Sequence, residues 1–542
     1  MARTVTLRPW QKAALERVGA IASSDFLAVA TPGAGKTTFA LTAARQALAA
    51  DPSLRLVVVV PTAHLKVQWA QAASSFDLHL DWRWSAADGP VAPDMHGIIT
   101  TYQQVAGCSG ALRALADNAM VIFDEIHHAA EDRAWGDALR TSFETAPRRL
   151  ALSGTPFRSD TQAIPFVRYA ADEAVADYEY GYGDALEDGG VVRPVYFPRI
   201  DGMMEWSAPD GSVHAHGFED PLGAAQAGHR LRTAYSVGGE WLPHVLGQAH
   251  EQLLAIRQRQ PDAGGLVIAT DQDHAKAIAR LMTERLRVRA IVATSDDPDA
   301  SAGISRFATG TDPWIVAVRM VSEGVDIPRL RVGVFATTTT TELFFRQAVG
   351  RLVRWTRGSS GQKSFLYIPD EPRLRARAFA IAEQRRHSLR HQDRAVPARD
   401  PRDGAVDEEQ ISLFAPISAV PLADDGGPEW LLDGDGFPDP PVDATLTISL
   451  PPLPTGGRAT QASDIAADGR TRREHKEHLR KANAERGRVI AHHTGMTHAG
   501  VNAELNRVMG LTKISEATVE QLQRRLDKAD QWLRQASGRR VG

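Results

Sequence analysis

Short apolar runs without alternation recur along the first part of the chain, at residues 26–29, 54–60, 97–102, 119–123 and 149–152. A strand exposed on one face alternates apolar and polar side chains, so unbroken runs predict strands buried on both faces of a parallel sheet. Helical spacing fills the gaps, as at residues 65–73, and the alternation predicts one doubly wound α/β domain. Ahead of it, residues 4–22 read as an extended lead-in and then a helix with Trp10, Ala14, Leu15, Val18 and Ile21 on one face.

From residue 240 the pattern repeats. A helix over 240–260 precedes strands at 265–269, 288–293, 314–318 and 332–336, with a helix over 271–286. The last strand leads through Thr337 to Thr341 into a helix carrying Gln347, Arg351 and Arg354. Residues 163–239 are irregular. The close-set Tyr178, Tyr180 and Tyr182 read as packing of a connector onto the first domain, with a base-stacking platform as the alternative. His214, His216 and His229 read as exposed.

The C-terminal third departs from both halves. Residues 396–469 hold 3 basic against 14 acidic residues with Pro and Gly clusters, a composition too charged and too poor in large apolar residues for a packed core. Two apolar pieces there, residues 429–432 and 444–450, are candidates to dock back onto the preceding domains. Residues 470–542 reverse the sign to 16 basic against 8 acidic. A helix over 517–532 sets Val519, Leu522, Leu526 and Ala529, with Leu533 just beyond, on one stripe, capped by Ser515 or Glu516. The expected layout is 1–195 first α/β domain, 196–239 connector, 240–395 second α/β domain, 396–469 acidic linker and 470–542 basic helical domain.

Bulk composition narrows the class. At 542 residues the chain exceeds a single core, and 43% hydrophobic with 24% charged residues is ordinary for a globular protein. One cysteine, Cys108, excludes a disulfide framework and fits a reducing cytoplasm. No apolar run approaches the roughly 18 residues that span a bilayer, so no membrane association is expected. His492, His493 and His498 lack the companions of a metal or nuclease centre.

The chemistry begins where the first strand breaks into Ala30-Thr31-Pro32-Gly33-Ala34-Gly35-Lys36-Thr37-Thr38. A glycine-rich loop opening a helix aims backbone N–H groups at a polyphosphate, with Lys36 reaching its outer phosphates and the Thr37 hydroxyl placed for Mg2+. Ala30 stands where the first glycine of such loops is usual. About 90 residues on, the strand at 119–123 runs into Asp124-Glu125-Ile126-His127-His128, where a metal-binding Asp124 and a water-activating Glu125 belong in an ATPase. Arg351 and Arg354, three apart, read as sharing one helix face and reaching the γ-phosphate as arginine fingers. The Gln11 amide can pair with adenine N6 and N7, or stand as an ordinary solvated helix residue.

In this order LRPWQ, ATPGAGKTT, VPT, TTY, DEIH, SGTP, EGVDIP and QAVGRLVR resemble the superfamily 2 helicases and translocases. The likeness is to the DEXH branch with RadD-like, XPB-like and restriction-type motors. It covers about residues 5–370 and implies two tandem RecA-like domains with ATP and Mg2+ between them. It also implies roles residue by residue. Asp326 lies near the ribose, and Gln347 joins the arginines at the γ-phosphate. His127, Ser153 and Thr155 couple hydrolysis to domain movement. Pro61, Thr62, Thr100, Thr101, Thr270 and Ser322 touch the phosphodiester backbone, which hydroxyls and amides grip without reading bases.

The expected partner is DNA, single-stranded or duplex, in preference to RNA, a choice that rests on the family branch. The expected function is an ATP-dependent DNA helicase or translocase in repair or genome maintenance. Two alternatives stand beside it: a duplex translocase of a restriction or defence system with a separate nuclease, and an ATP switch that senses nucleic acid without processive movement. The basic C-terminal region reads as a DNA-binding accessory or a surface for a protein partner such as that nuclease.

Overall fold

In the computed structural model the described residues are 4–130, 133–154, 163–170, 173–207, 213–294, 300–318, 327–356, 361–394, 446–453, 472–511 and 513–538. The chain divides into two compact units, one made of Met1–Val29, Gly35–Glu179 and Thr445–Gly542, the other of Ala30–Ala34 and Tyr180–Ala444.

The unbroken apolar runs become the centre of a seven-stranded sheet in the order Tyr178–Tyr180, Asp25–Ala30, Arg148–Ser153, Ala119–Phe123, Arg55–Val60, Gly97–Thr101, Leu80–Asp81. Pairing is parallel from Asp25–Ala30 through to Leu80–Asp81. Every residue of Ala119–Phe123 and Gly97–Thr101 is buried, as strands covered on both faces require. Parallel connection brings Ala30, Pro61, Thr101, Asp124 and Ser153 to one carboxyl edge, where ligands bind in open α/β sheets.

The second unit holds another seven-stranded sheet: Val195–Tyr196, Ser364–Pro369, Leu330–Ala336, Gly264–Ala269, Trp314–Ala317 and Ala290–Ala293 in that order, with Arg199–Ile200 also on Ser364–Pro369. Its core gathers Trp314, Val316, Val332, Val334, Leu242, Val245 and Leu253. The stretch expected to be irregular contributes to this unit. Met203–Ser207 and Val213–Gly217 form an antiparallel hairpin, and Met204, Phe218 and Leu231 join the core. His214 and His216 are half-buried rather than exposed, because both pack on the Trp206 ring; His229 is exposed. The tyrosines pack. Tyr178 lies against Trp10, while Tyr180 and Tyr182 are buried with their hydroxyls on Asp188 and the Arg193 carbonyl. The two units part at Glu179/Tyr180, and Val195–Tyr196 adds to the second sheet.

Much of the acidic stretch, including residues 429–432, lies outside the described residues. The apolar piece at 444–450 does dock: Leu446–Ser449 pairs antiparallel with Thr4–Leu7, and the Arg45 guanidinium donates to the Pro451 carbonyl at 3.2 Å. The helices Arg472–Thr494, His498–Val508 and Val519–Gly538 follow. Leu522 and Ala529 of the expected stripe are fully buried. The cap of the last helix is Thr518, whose hydroxyl accepts from the Gln521 N–H at 3.1 Å while Gln521 reaches back to the Thr518 N–H, in place of Ser515 or Glu516. These helices belong to the first unit. Lys476 pairs with Asp94 at 2.8 Å, Arg473 with Asp81 at 3.1 Å and Arg83 with Glu477 at 2.6 Å. Part of the basic charge of residues 470–542 is therefore turned onto acidic residues beside the sheet's edge strand Leu80–Asp81.

Candidate active site

The phosphate loop takes the form its residues demand. Gly33 and Gly35 sit at φ 87° and 91°, left-handed conformations that glycine adopts without cost, and Gly35 caps the helix Lys36–Ala50. A Cβ on Gly35 would stand 2.7 Å from the Gln11 Nε2, so any larger residue would also have to move the Gln11 amide. Within the loop the Ala34 N–H donates to the Thr31 carbonyl, and the Thr31 N–H to the Tyr180 carbonyl. Thr31 is buried; Pro32, Gly33 and Lys36 to Thr38 are partly exposed. Gln11 is buried with its Nε2 on the Gly35 carbonyl at 2.9 Å and its Oε1 accepting from the Arg8 N–H at 2.8 Å, so it braces the loop from the lead-in helix. Each end of a glutamine amide keeps one further hydrogen-bonding position, which an adenine can use.

Lys36 Nζ lies 3.0 Å from Glu125 Oε1. The other Glu125 oxygen accepts from the Gly154 N–H at 2.9 Å and lies 3.6 Å from His127 Nδ1, which itself meets the Ser153 hydroxyl at 3.1 Å. Glu125 has φ 49°, a left-handed conformation costing a non-glycine residue of order 1 kcal/mol. Asp124 is held differently. Its Oδ2 accepts from the Trp69 indole at 2.8 Å, and its carbonyl from the Tyr102 hydroxyl at 2.9 Å.

These surroundings drive the two carboxyls apart. Burial and the neighbouring Glu125 charge push Asp124 up to about 6, against the pull of Lys36 and Trp69. Burial acts upward on Glu125 too, but Lys36, His127 and the Gly154 N–H outweigh it and hold Glu125 at about 2. Glu125 is thus the ionised member, fit to accept a proton or orient water. Asp124 and the Thr37 hydroxyl present oxygen donors, the kind that suit Mg2+, and a cation there would relieve the penalty on a charged Asp124. Among the described residues no group of three or more His, Cys, Asp or Glu is arranged to hold a metal.

In the second unit Gln347 and Arg351 lie one turn apart on the helix Glu342–Leu352, both partly exposed. Arg354 does not continue that helix. Val353 caps it, and Arg354 forms an antiparallel bridge with Val192, so the two arginines do not share a helix face. Arg354 is nevertheless close to the loop segment of its own unit: a Cβ on Gly33 would stand 3.3 Å from Arg354 Cδ, and one on Gly350 2.6 Å from Pro32 Cγ.

Residues 4–158 match the family model described as Type III restriction enzyme, res subunit, and residues 248–356 match Helicase conserved C-terminal domain. The chain belongs to the superfamily 2 helicases. Two uncharacterized mycobacterial proteins are similar to this helicase over nearly their full lengths. One from Mycobacterium leprae (strain TN) is 38% identical over 97% of this chain and 94% of its own. One from Mycobacterium tuberculosis (strain CDC 1551 / Oshkosh) is 40% identical over 96% and 92%. Solved structures with similar chains include the ATP-dependent Type ISP restriction-modification enzyme LlaBIII bound to DNA, at TM-score 0.44 and 15% identity over 71% of this chain and 30% of that one. Dbp5 of S. cerevisiae bound to RNA and ADP BeF3 gives TM-score 0.45 and 12% identity over 70% and 87%.

The remaining residues expected to contact substrate are placed unevenly. Pro61, Thr62 and Thr270 are partly exposed at strand ends, with the Thr270 hydroxyl on the Ala336 carbonyl at 3.3 Å. Thr100 and Thr101 are buried, and Thr101 caps the helix Tyr102–Ala116 by accepting from the Gln104 N–H. Thr155, Ser322 and Asp326 lie outside the described residues. Tyr102 and Gly154 fall inside the TTY and SGTP motifs, but nothing in the sequence gave them the part of holding the acidic pair, and Trp69, on the helix after the second strand, lies in none of the motifs and was visible only as an apolar position.

Proposed function

We propose that this superfamily 2 helicase is a DNA-dependent ATPase that turns ATP hydrolysis into movement along DNA in genome maintenance. The observation that carries the reading is the state of Glu125: ionised, paired with the phosphate-loop Lys36, and joined through Gly154 and the His127–Ser153 contact to the next strand end. A base wired in this way can report the presence of a phosphate to the segment that follows Ser153. Lys36 and the loop amides bind the substrate's phosphates, and Gln11 meets its base. Thr37 and Asp124 would hold Mg2+, which when bound would supply charge neutralisation on the phosphates. Gln347, Arg351 and Arg354 stabilise the charge developing on the γ-phosphate, and Asp326 stands near the ribose. Pro61, Thr62 and Thr270 grip the phosphodiester backbone, which leaves base sequence unread. His127, Ser153 and Thr155 pass hydrolysis on to movement.

The restriction-enzyme family model over residues 4–158 favours a second reading, a duplex translocase that works with a separate nuclease. Strand-displacement and triplex-displacement assays run side by side, with ATP hydrolysis measured on single-stranded DNA, duplex DNA and RNA, divide the readings. Strand displacement supports the helicase, and triplex displacement alone supports the duplex translocase. DNA-stimulated hydrolysis with neither overturns both in favour of a nucleic-acid-sensing switch.

A further inference from the structure

Arg193 is fully buried in the second unit and belongs to none of the motifs above. Its Nη1 donates to the Leu330 carbonyl at 3.2 Å, and its Nη2 lies within hydrogen-bonding distance of the Pro328 carbonyl at 2.7 Å, the Thr356 hydroxyl at 3.1 Å and the Arg354 carbonyl. Its own backbone N–H donates to the Val353 carbonyl at 2.7 Å, and the adjacent Val192 bridges Arg354. The planar five-donor fork of arginine can bind several carbonyls at once, which a lysine cannot reproduce. Here it gathers two separate stretches. One is the chain immediately after Glu323-Gly324-Val325-Asp326-Ile327; the other is the chain that carries Arg354 away from its helix. Thr356 closes the knot, its hydroxyl on the Pro328 carbonyl at 3.2 Å and its N–H and carbonyl on the Gln362 amide at 3.0 and 2.6 Å.

The helix ends at Leu352, so Arg354 is placed by the chain beyond it, where the Val192 bridge and the Arg193 guanidinium meet its backbone. Arg354 Cδ nonetheless lies 3.3 Å from the place a Gly33 side chain would occupy, a spacing at which small backbone shifts matter. Burying a guanidinium against neutral oxygens is costly, so its retention calls for a task. We infer that Arg193 is a positioning residue for ATP hydrolysis, setting the backbone of Arg354 and locking it to the Pro328–Leu330 segment so that the two act as one block.

This inference rests on the proposed role of Arg354 at the γ-phosphate, and the test separates the two. DNA-stimulated ATP turnover, KM for ATP and thermal midpoint are measured for Arg193→Lys, Thr356→Val, Arg354→Ala and the combinations of each of the first two with Arg354→Ala. Arg193→Lys is expected to lower kcat by on the order of a hundredfold with KM changed less than about threefold, as displacement of a reacting group by about 1 Å does. Thr356→Val, the milder change should Arg193→Lys fail to fold, is expected to lower kcat several-fold. Neither is expected to lower turnover further once Arg354 is alanine. Multiplicative loss in the double variants, or loss of thermal midpoint with kcat of the folded protein intact, assigns these residues a merely structural part and overturns the inference. If Arg354→Ala itself hydrolyses ATP at the normal rate, the reading of Arg354 falls and takes this inference with it.

Discussion

Two lysine–carboxylate pairs in the first unit have nearly the same length, 3.0 Å for Lys36 and Glu125 and 2.8 Å for Lys476 and Asp94. Their surroundings differ. Lys476 and Asp94 are each 2% exposed, and Asp94 also accepts from the Val519 N–H at 3.0 Å and lies 3.9 Å from Arg472. Removing two charges from water this thoroughly costs several kcal/mol per ion, and only a full set of donors offsets it. Glu125 keeps 28% exposure, occupies a left-handed backbone conformation and shares its oxygens between the lysine and the Gly154 N–H. The pair that joins two surfaces is complete and closed. The pair at the sheet's carboxyl edge is the more open of the two and Glu125 sits on a left-handed backbone, which suits the proposed function, in which each member also meets a second partner.

The comparison breaks most sharply at Lys36. Lys36→Ala is expected to lose ATP binding and to lower turnover by at least about a thousandfold, with a smaller loss of stability than at a fully buried pair, since Glu125 keeps 28% exposure. Nucleotide binding and urea unfolding check this together. Lys476→Met should give the reverse. Leaving Asp94 buried without its cation costs about 3–5 kcal/mol in urea unfolding, while kcat of the folded protein stays within a fewfold of normal. A Lys476 variant as stable as the parent would mean that the docked helices are held by their apolar contacts and the other ion pairs, with the Lys476–Asp94 pair adding nothing.

A smaller effect sharpens the same contrast through pH. Burial, with Arg472 nearby, pulls His79 down to about 3, whereas the unfolded chain protonates it near 6.5. In that window the unfolded state binds the extra proton, so stability is present above pH 6.5 and is lost as pH falls toward 3. From pH 7 to 5 this one ring is expected to remove about 2 kcal/mol. Urea unfolding at the two pH values measures the loss, and ring proton shifts should show one histidine that does not titrate between pH 8 and 5.

How much of this was legible in the sequence depends on how local each feature is. The phosphate loop and the acidic pair are contiguous, and their chemistry follows from the order of residues. The parallel strands were legible because double burial leaves no polar position in the run, as in residues 119–123. Arg354 was misplaced because helical spacing continues past Leu352, while the bridge that ends the helix comes from Val192, more than 150 residues away. Trp69 and Arg193 went unseen for the same reason: their partners are backbone and carboxylate atoms of distant segments. The pairing of Leu446–Ser449 with Thr4–Leu7 shows only as a short apolar piece in an acidic stretch. The basic C-terminal helices were legible as helices, but not the direction of their charge, since Asp81 and Asp94 carry no mark of what covers them.

On the proposed function Glu125 is the ionised base of a nucleic-acid-driven ATPase. Steady-state ATP hydrolysis with and without DNA, for the parent protein and Glu125→Gln, tests this role most directly. Hydrolysis is expected to rise with DNA in the parent and to fall by about a thousandfold or more in Glu125→Gln, with ATP still bound. Hydrolysis that ignores DNA, or that persists in Glu125→Gln, would contradict it.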